Sequence, residues 1–337
     1  MKAVAYLEAG AIERADALLD VELPMPQPGP RDLRVRVAAV SVNPVDTKIR
    51  KSRQPQPQRP EVLGWDAVGI VDAVGAQVEG FSVGDRVFYA GAIDRPGTNA
   101  EYHLVDARIV GRAPVKLSDA EAAALPLTAI TAWELLFDRL GVPQGGGEGQ
   151  ALLVIGGAGG VGSMLIQLAR QLTRLTVIAT ASRPETQAWC RELGAHHVID
   201  HAQAFAPQLA AIGWPQVPLV ASLTQSDEHW AAIVEATAPQ GRIALIDDPV
   251  QPLDVMALKR KSLSLHWELM FTRSLFQTPD MAAQGALLDE VAKLVDEGRL
   301  RTTVTQTLQP INAANVRQAH ALIESGRARG KVTIQGW

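Results

Sequence analysis

The 337-residue sequence predicts an α/β protein of two domains, one largely β and the other a doubly wound parallel sheet. Three observations carry this expectation. The chain is too long for a single small core, so two domains are the default. Residues 1 to about 117 consist of short alternating or apolar runs punctuated by Gly, Pro and Asp, the pattern of strands and turns. From residue 151 onward, wholly apolar strands alternate with helical segments, which implies a parallel sheet covered on both faces.

Taken in order, KAVAY, LRVRVAAVSV, AVGIVDAVG, DRVFYAG and AEYHLV are the strands of the first part. PMPQPGP at 24–30 and QPQPQRP at 54–60 are loops, because proline supplies no ladder donor. GWDAVG follows at 64–69 and sets Trp65 beside the carboxylate of Asp66, between two glycines. At 118 the pattern turns helical. Ser118 and Glu121 make a capping-box pair, and Pro126 interrupts the run, predicting two helices around a break. ALLVIGG, VGSMLIQLARQL, TVIATA, PETQAWCRELG, HVID, PLVASL, DEHWAAIVEATA and GRIALID then supply the alternating strands and helices. SLSLHWELMF at 262–271 reads as the final strand of that sheet. A helix around 280–297, a strand around 303–308, a helix around 312–325 and the strand KVTIQ follow.

Composition narrows the function classes. A hydrophobic content of 47% and a charged fraction of 20% describe an ordinary globular protein. The net charge of −4 and the scattered basic residues give no footprint for nucleic acid or an anionic membrane. The single cysteine, Cys190, excludes intrachain disulfides and multi-cysteine zinc clusters. The opening MKAVAYLEAG lacks the basic start and apolar stretch of a signal peptide, and no apolar run approaches the roughly 18 residues of a membrane span. A cytoplasmic enzyme is the expectation.

Residues 157–162 read G-A-G-G-V-G, after a strand and at the opening of a helix. In that context G-x-G-x-x-G carries a mechanism, with Gly157, Gly159 and Gly162 in the key places. One glycine permits the tight turn, the next lets the backbone approach a pyrophosphate, and the third allows close helix–strand packing. Ala158, Gly160 and Val161 complete the loop whose N–H groups face the anion. NAD-binding versions place an acid about 20 residues later for the ribose 2′-hydroxyl. Here TVIATA continues into Ser182 and Arg183, with no acid before Glu185. An arginine in place of the carboxylate suits a 2′-phosphate and hence NADPH. Ser182 is also the first residue of a capping-box pattern, S-R-P-E, and the two roles are compatible.

NPVDTK at 43–48, GWDAVGIVDAVG at 64–75, FSVGDRV at 81–87, AALPLTAITAWELL at 123–136, GGAGGVG at 156–162 and RARGKVTI at 327–334 occur together and in this order. With them the chain resembles, over nearly its whole length, the medium-chain dehydrogenase/reductase superfamily. It is most similar to the quinone oxidoreductase branch and its zinc-type alcohol dehydrogenase-like subgroup. The resemblance implies a GroES-like β-barrel catalytic domain over 1–125 and 272–337, and a Rossmann domain over 126–271.

The same resemblance points to the chemistry. Zinc-dependent relatives place Cys, a Gly-His-Glu motif and a second Cys around the catalytic metal, where this chain has Asn43, Trp65 with Asp66, and Leu127. Asn43, Trp65 and Leu127 offer neither thiolate nor imidazole, so no metal is expected. His196 and His197 are adjacent and would face opposite ways on a strand. Trp65 becomes a wall of the emptied metal site, with core packing as the competing reading, and Asp66 the partner of a basic neighbour. The hydroxyl that relays an alcohol's proton is matched by Val45. The implied reaction is therefore hydride delivery to a quinone or an α,β-unsaturated carbonyl. Asn43 and Trp65 are the candidate catalytic residues. Asn43 would donate to the accepting oxygen and border the coenzyme, or else cap the turn before Pro44.

Thr128 and Thr131 match residues that contact the nicotinamide ribose and carboxamide. His201 matches an aromatic position near the adenosine phosphate, and Lys331 a segment that approaches the cofactor. Helix-break capping, a surface histidine and an exposed strand lysine are the respective competing readings. A homodimer joined through strand 262–271 is expected from its apolar edge and from the family's assembly. The alternatives to an NADPH-dependent quinone or enone reductase are a zinc-dependent alcohol dehydrogenase and a non-catalytic NADPH-binding structural or sensor protein.

Overall fold

The computed structural model describes residues 1–337, which divide into two compact units. One comprises Met1–Ile130 with Phe271–Trp337, the other Thr131–Met270. The division falls within a helix, a few residues from the 125/126 and 271/272 boundaries read from the sequence.

The first unit opens with strands β1 (Lys2–Tyr6), β2 (Leu19–Glu22) and β3 (Asp32–Val42), then helix α1 (Pro44–Ser52). Strands β4 (Glu61–Val62), β5 (Ala67–Val74), β6 (Arg86–Tyr89), β7 (Tyr102–Asp106) and β8 (Gly111–Arg112) follow, with helices α2 (Asp119–Ala123) and α3 (Pro126–Trp133). The second unit runs β9 (Ala151–Ile155), α4 (Gly160–Leu172), β10 (Thr176–Thr180), α5 (Pro184–Glu192), β11 (His197–Ile199) and α6 (Phe205–Ala211). It closes with β12 (Val217–Ser222), α7 (Ser226–Ala236), β13 (Thr237–Leu245) and β14 (Ser264–Trp267). The chain then returns to the first unit through α8 (Thr272–Phe276), α9 (Ala283–Asp296), β15 (Val304–Leu308), α10 (Ala313–Glu324) and β16 (Lys331–Gln335).

In the first unit β3 is the organising strand. It pairs antiparallel with β5, with β7 through residues 32–36, and with β16 through residues 39–42. Leu33, Val35 and Val37 alternate inward, and from Ala39 to Val42 every side chain is buried. The strand thus enters the core just before Asn43. The ladders leave two open sheets, β15-β16-β3-β5-β6-β8 with β7 on β3, and β2-β1-β4, where the resemblance implied a closed barrel. An isolated antiparallel bridge pairs Ala3 of β1 with Ala100, just before β7. The turn before Ala100 gives the Gly97, Thr98 and Asn99 amides to the carbonyls of Val62, Gly64 and Leu63, donors that a continuous ladder would need.

The second unit is one parallel sheet ordered β11-β10-β9-β12-β13-β14. Its central strand β9, ALLVI, is buried at every residue, and Leu153, Ile178, Val220 and Ile243 form one cluster behind it. The last strand is shorter than the ten residues expected. Ser262 takes a left-handed φ of 52° before it, and Glu268 turns inward after it to meet Arg139 at 2.8 Å. β14 pairs only with β13, leaving its other edge unpaired.

Local signals hold at both ends of the α2–α3 break. Ser118 N donates to the Glu121 carboxylate at 3.0 Å, and Pro126, which lacks an N–H, opens α3. Residues 119–139 together are long and apolar enough by composition to cross a membrane, but 83% of that window is buried within the protein, as in a core helix. The α5 cap differs from expectation. Arg183, not Ser182, is the N-cap residue, with Pro184 at the first helical position and Thr186 Oγ1 accepting from Arg183 N at 3.3 Å. Proline's fixed φ sets the helix start one residue later than the S-R-P-E pattern suggested.

In the glycine loop the tight turn is made by Gly156, at φ +81°, one residue ahead of the motif. Gly162 serves close packing: a Cβ there would lie 2.4 Å from Gly156 O and 2.7 Å from Gly157 Cα. A Cβ on Gly159 would meet only Gly156 O, at 3.5 Å. Gly162→Ala is therefore expected to cost about 2–4 kcal/mol, outweighing the roughly 1 kcal/mol by which alanine favours a helix. Gly159→Ala should stay within about 1 kcal/mol. Urea unfolding of the two variants checks this, and equal losses would contradict the packing account.

Candidate functional site

The sites are built separately in each unit. In the second, the buried strand β9 delivers the chain to Gly156, and α4 begins after an N-cap glycine, Gly159, that has no side-chain cap. The first-turn amides of a helix have no intrahelical partner, and here no side chain takes them. A Cβ on Gly159 would meet only Gly156 O, at 3.5 Å, and a helix N-terminus of this kind can hold an anion.

The neighbouring strand is tied into the loop. Thr180, the last residue of β10, accepts the Gly156 amide on Oγ1 at 3.1 Å, and the same oxygen lies 3.2 Å from His201 Nδ1. Burial, with His229 at 6.0 Å between ring centres, holds the His201 imidazole below its usual range. Ser182 is exposed, and Arg183, 41% exposed, meets Glu185 at 3.3 Å. No carboxylate lies between Thr176 and Arg183.

In the first unit, sheet register gathers a polar cluster. Val332 pairs with Val42, which brings Lys331 alongside Asn43, and Ala67 pairs with Val40, which brings Asp66 to the same end of β3. All three side chains are buried. Lys331 Nζ donates to Asp66 Oδ2 at 3.1 Å, to Val42 O at 3.1 Å and to Asn43 Oδ1. Asn43 Nδ2 donates to Asp66 Oδ2 at 2.8 Å and meets the Ser41 and Trp65 carbonyls only at 3.4 Å. Leu127 N, in the first turn of α3, donates to Asp66 Oδ1 at 2.7 Å. Asp66 thus has the basic neighbour expected of it, and that neighbour is Lys331. Burial pushes the Asp66 carboxyl up while the Lys331 ammonium pulls it down, burial winning. Asp46 accepts from Asn43 N at 2.5 Å, and burial raises its carboxyl to about 7.

Trp65 is 1% exposed, with its Nε1 donating to Ala92 O at 3.2 Å and its ring edge-on to Phe271 at 6.2 Å. Thr128 and Thr131 are also buried, and the Thr128 hydroxyl donates to the Leu125 and Ala124 carbonyls at 3.1 and 3.3 Å. The structure therefore assembles Asn43, Trp65, Asp66, Leu127 and Lys331 in one unit, and Gly157–Val161 with His201 in the other. Asp46 and Thr180 were not singled out from the sequence. Asp46 sits at the third helical position after Asn43-Pro44, the capping-box spacing that would have found it.

Zinc does not fit this cluster. At the positions matching the ligands of zinc-dependent relatives stand an amide, an indole and a leucine. The Asp66 carboxylate is satisfied by an ammonium, an amide side chain and a backbone N–H, and the second carboxyl, Asp46, is taken up by the Asn43 amide. No group of three His, Cys, Asp or Glu residues is placed to hold a metal ion.

Residues 29–115 match the alcohol dehydrogenase GroES-like domain family, and residues 193–334 match the zinc-binding dehydrogenase family. A zinc-type alcohol dehydrogenase-like protein of Staphylococcus aureus is 41% identical over 298 residues, 88% of each chain. The 2-methylene-furan-3-one reductase of Solanum lycopersicum is 28% identical over 99% of this chain and 79% of its own length. A crystal structure from Rhizobium etli, described provisionally as a zinc-dependent alcohol dehydrogenase, is 60% identical with a TM-score of 0.96, covering 100% of this chain and 98% of that one. A quinone oxidoreductase of Pseudomonas syringae (26%, TM-score 0.84, 99% of both chains) shares the fold. So does a mycobacterial protein complexed with NADPH (28%, TM-score 0.84, 99% of this chain and 100% of that one). The chain belongs to the medium-chain dehydrogenase/reductase superfamily of oxidoreductases, in its quinone oxidoreductase branch.

Proposed function

We propose that the protein is an NADPH-dependent reductase that works without zinc and delivers hydride to a quinone or an α,β-unsaturated carbonyl. The observation that carries this reading is the cluster around Asp66, where Lys331 supplies the only cation. Alcohol oxidation needs groups that stabilise an alkoxide and relay its proton, roles that zinc and a side-chain hydroxyl fill in zinc-dependent alcohol dehydrogenases. The donor set offers no thiolate or imidazole and no group of three metal ligands, and by the family resemblance Val45 stands at the hydroxyl position. An acceptor that is already electrophilic needs neither. The relatives named as a 2-methylene-furan-3-one reductase and a quinone oxidoreductase support that substrate class.

When bound, the coenzyme supplies the hydride. This chain's residues bind and orient it. Gly157, Ala158, Gly159, Gly160 and Val161 hold the pyrophosphate through backbone amides. Ser182, Arg183 and His201 receive the adenosine phosphate, and Thr128 and Thr131 serve the nicotinamide end. Lys331 serves the coenzyme through Asn43 and Asp66, since all three of its ammonium hydrogens already have acceptors. Asn43 keeps one Nδ2 hydrogen in contacts of 3.4 Å, long enough to be exchanged for an acceptor oxygen. Trp65 is the apolar wall beside it. Two such chains form a homodimer through the free edge of β14, flanked by the half-exposed Trp267 and Leu269.

Three outcomes follow. Purified protein should hold no stoichiometric zinc, and chelators should leave turnover of a quinone or enone unchanged; zinc that tracks activity across preparations would restore the alcohol dehydrogenase reading. Arg183→Ala should weaken NADPH binding about tenfold and leave NADH nearly untouched, since a charge-assisted hydrogen bond contributes roughly 1.5–3 kcal/mol and Glu185 already shares this guanidinium. Equal losses for both coenzymes in a fluorescence titration would make Arg183 a surface charge only. Light scattering at micromolar concentration should give the mass of a dimer, and a monomer would remove the β14 interface.

A further inference from the structure

We propose that Glu134 and Glu268 share a single proton, and that the pair is a positioning device for the nicotinamide end of the coenzyme. The second half rests on the reading above that Thr131 serves that end.

The two carboxyls come from two elements of the second unit. Glu268 follows β14, and its amide still donates to Leu245 O at 2.9 Å, which keeps it at the carboxyl edge of the parallel sheet. Ligands of such sheets bind outside that edge. Glu134 stands one turn after Thr131, where the helix that began as α3 widens over Glu134–Arg139. There Leu140 N reaches back five residues, to Leu135 O at 2.9 Å. Widened turns of this kind are rare and recur at functional sites. In a regular helix, residues five apart point about 140° away from each other. The widened turn closes that angle, and Arg139 meets Glu268 at 2.8 Å and Glu134 at 4.0 Å.

One cation therefore serves two carboxyls, and both are out of water: the Glu134 and Glu268 side chains are 1% and 0% exposed. Arg139 takes Glu268 Oε2, and Oε1 is buried with no N–H or hydroxyl to meet it. The remaining bond of Glu268 is to the Glu134 carboxyl. Two carboxylates only accept and cannot make that bond, so one hydrogen lies between them. Glu134 donates it, since the bond favours the ionised Glu268 that Arg139 faces. The surrounding elements supply no second cation. His266 on β14 is held below the usual imidazole range by burial, Arg242 and Arg139, and Arg242 on β13 donates to Leu140 O. Asp138 adds a further negative charge. Ionising both carboxyls would leave one buried charge without a counter-charge. One proton, one carboxylate and one guanidinium make the neutral arrangement, and it fastens the turn beside Thr131 to the end of β14.

Infrared spectra near neutral pH should show a protonated carboxyl in the unmodified protein that Glu134→Gln removes; the Asp46 carboxyl is common to both and cancels in the difference. Glutamine still donates a hydrogen to Glu268, so hydride transfer in a single turnover should stay within about twofold of the unmodified protein. Glu134→Leu keeps the volume and loses the hydrogen. It should slow hydride transfer about tenfold or more, since a shift of about 1 Å in a reacting group can cost a hundredfold. Binding of 2′-phospho-ADP-ribose, which lacks the nicotinamide, should be the same in both variants, and a merely structural role would weaken it. If Glu134→Gln loses no carboxyl band, or is as slow as Glu134→Leu, the shared proton is overturned. Undiminished hydride transfer in Glu134→Leu, or an equal fall in binding of the fragment, would overturn the positioning role. A protein that oxidises neither NADPH nor NADH, with the carboxyl band still present, would instead overturn the coenzyme reading and support the shared proton alone.

Discussion

A carboxylate with no access to water must find its counter-charge inside the protein, and the first unit is arranged around that requirement at Asp66. Taking a carboxylate and an ammonium out of water costs several kcal/mol per ion, and their attraction offsets this only when the remaining hydrogen bonds are made. Here they are made. Lys331 and Asn43 share one carboxylate oxygen, and Leu127 N takes the other. Leu127 N reaches Asp66 from the first turn of α3, which restarts at Pro126 and whose opening amides point out of the helix. The helix break, the return of β16 beside β3, and the turn at Asn43-Pro44 all converge on one negative charge.

The same arrangement explains what kind of reaction the unit can support. A zinc ion holds ligands in an open coordination shell and offers a site to substrate oxygen. An ammonium with three internal acceptors offers nothing outward. On the proposed reading it fixes Asn43 and Asp66 in place, and any polarisation of an acceptor comes from oriented dipoles. The proposed acceptors, whose own π-system takes up the developing charge, are consistent with such a frame.

Much of this was legible in the chain because it is local. The capping pair Ser118–Glu121, the break at Pro126, and the strand–glycine–helix sequence around 157–162 each depend on neighbours within a few residues; the first two form as read, and the third forms with its tight turn one residue earlier, at Gly156. Asp66 was expected to have a basic partner, but that the partner is Lys331 depends on the register of β16 against β3, which spacing along the chain does not reveal. The same holds for Thr180, an ordinary strand residue until the sheet places it against Gly156 and His201. The α5 cap moved by one residue because proline geometry outweighed a side-chain pattern. β14 came out at four residues, between a left-handed Ser262 and Glu268, whose carboxylate pairs with Arg139.

The distance along the chain between Asp66 and Lys331 has a consequence for how the molecule comes into being. A ribosome makes the carboxylate 265 residues before the ammonium that neutralises it. During that interval β3 has an open edge where β16 will lie, and the nascent first unit holds a charge it cannot bury. The second unit is contiguous from Thr131 to Met270 and pairs its whole sheet within that stretch. The segment translated second is therefore the one able to mature first, and the segment translated first must wait, half assembled, for the last strand.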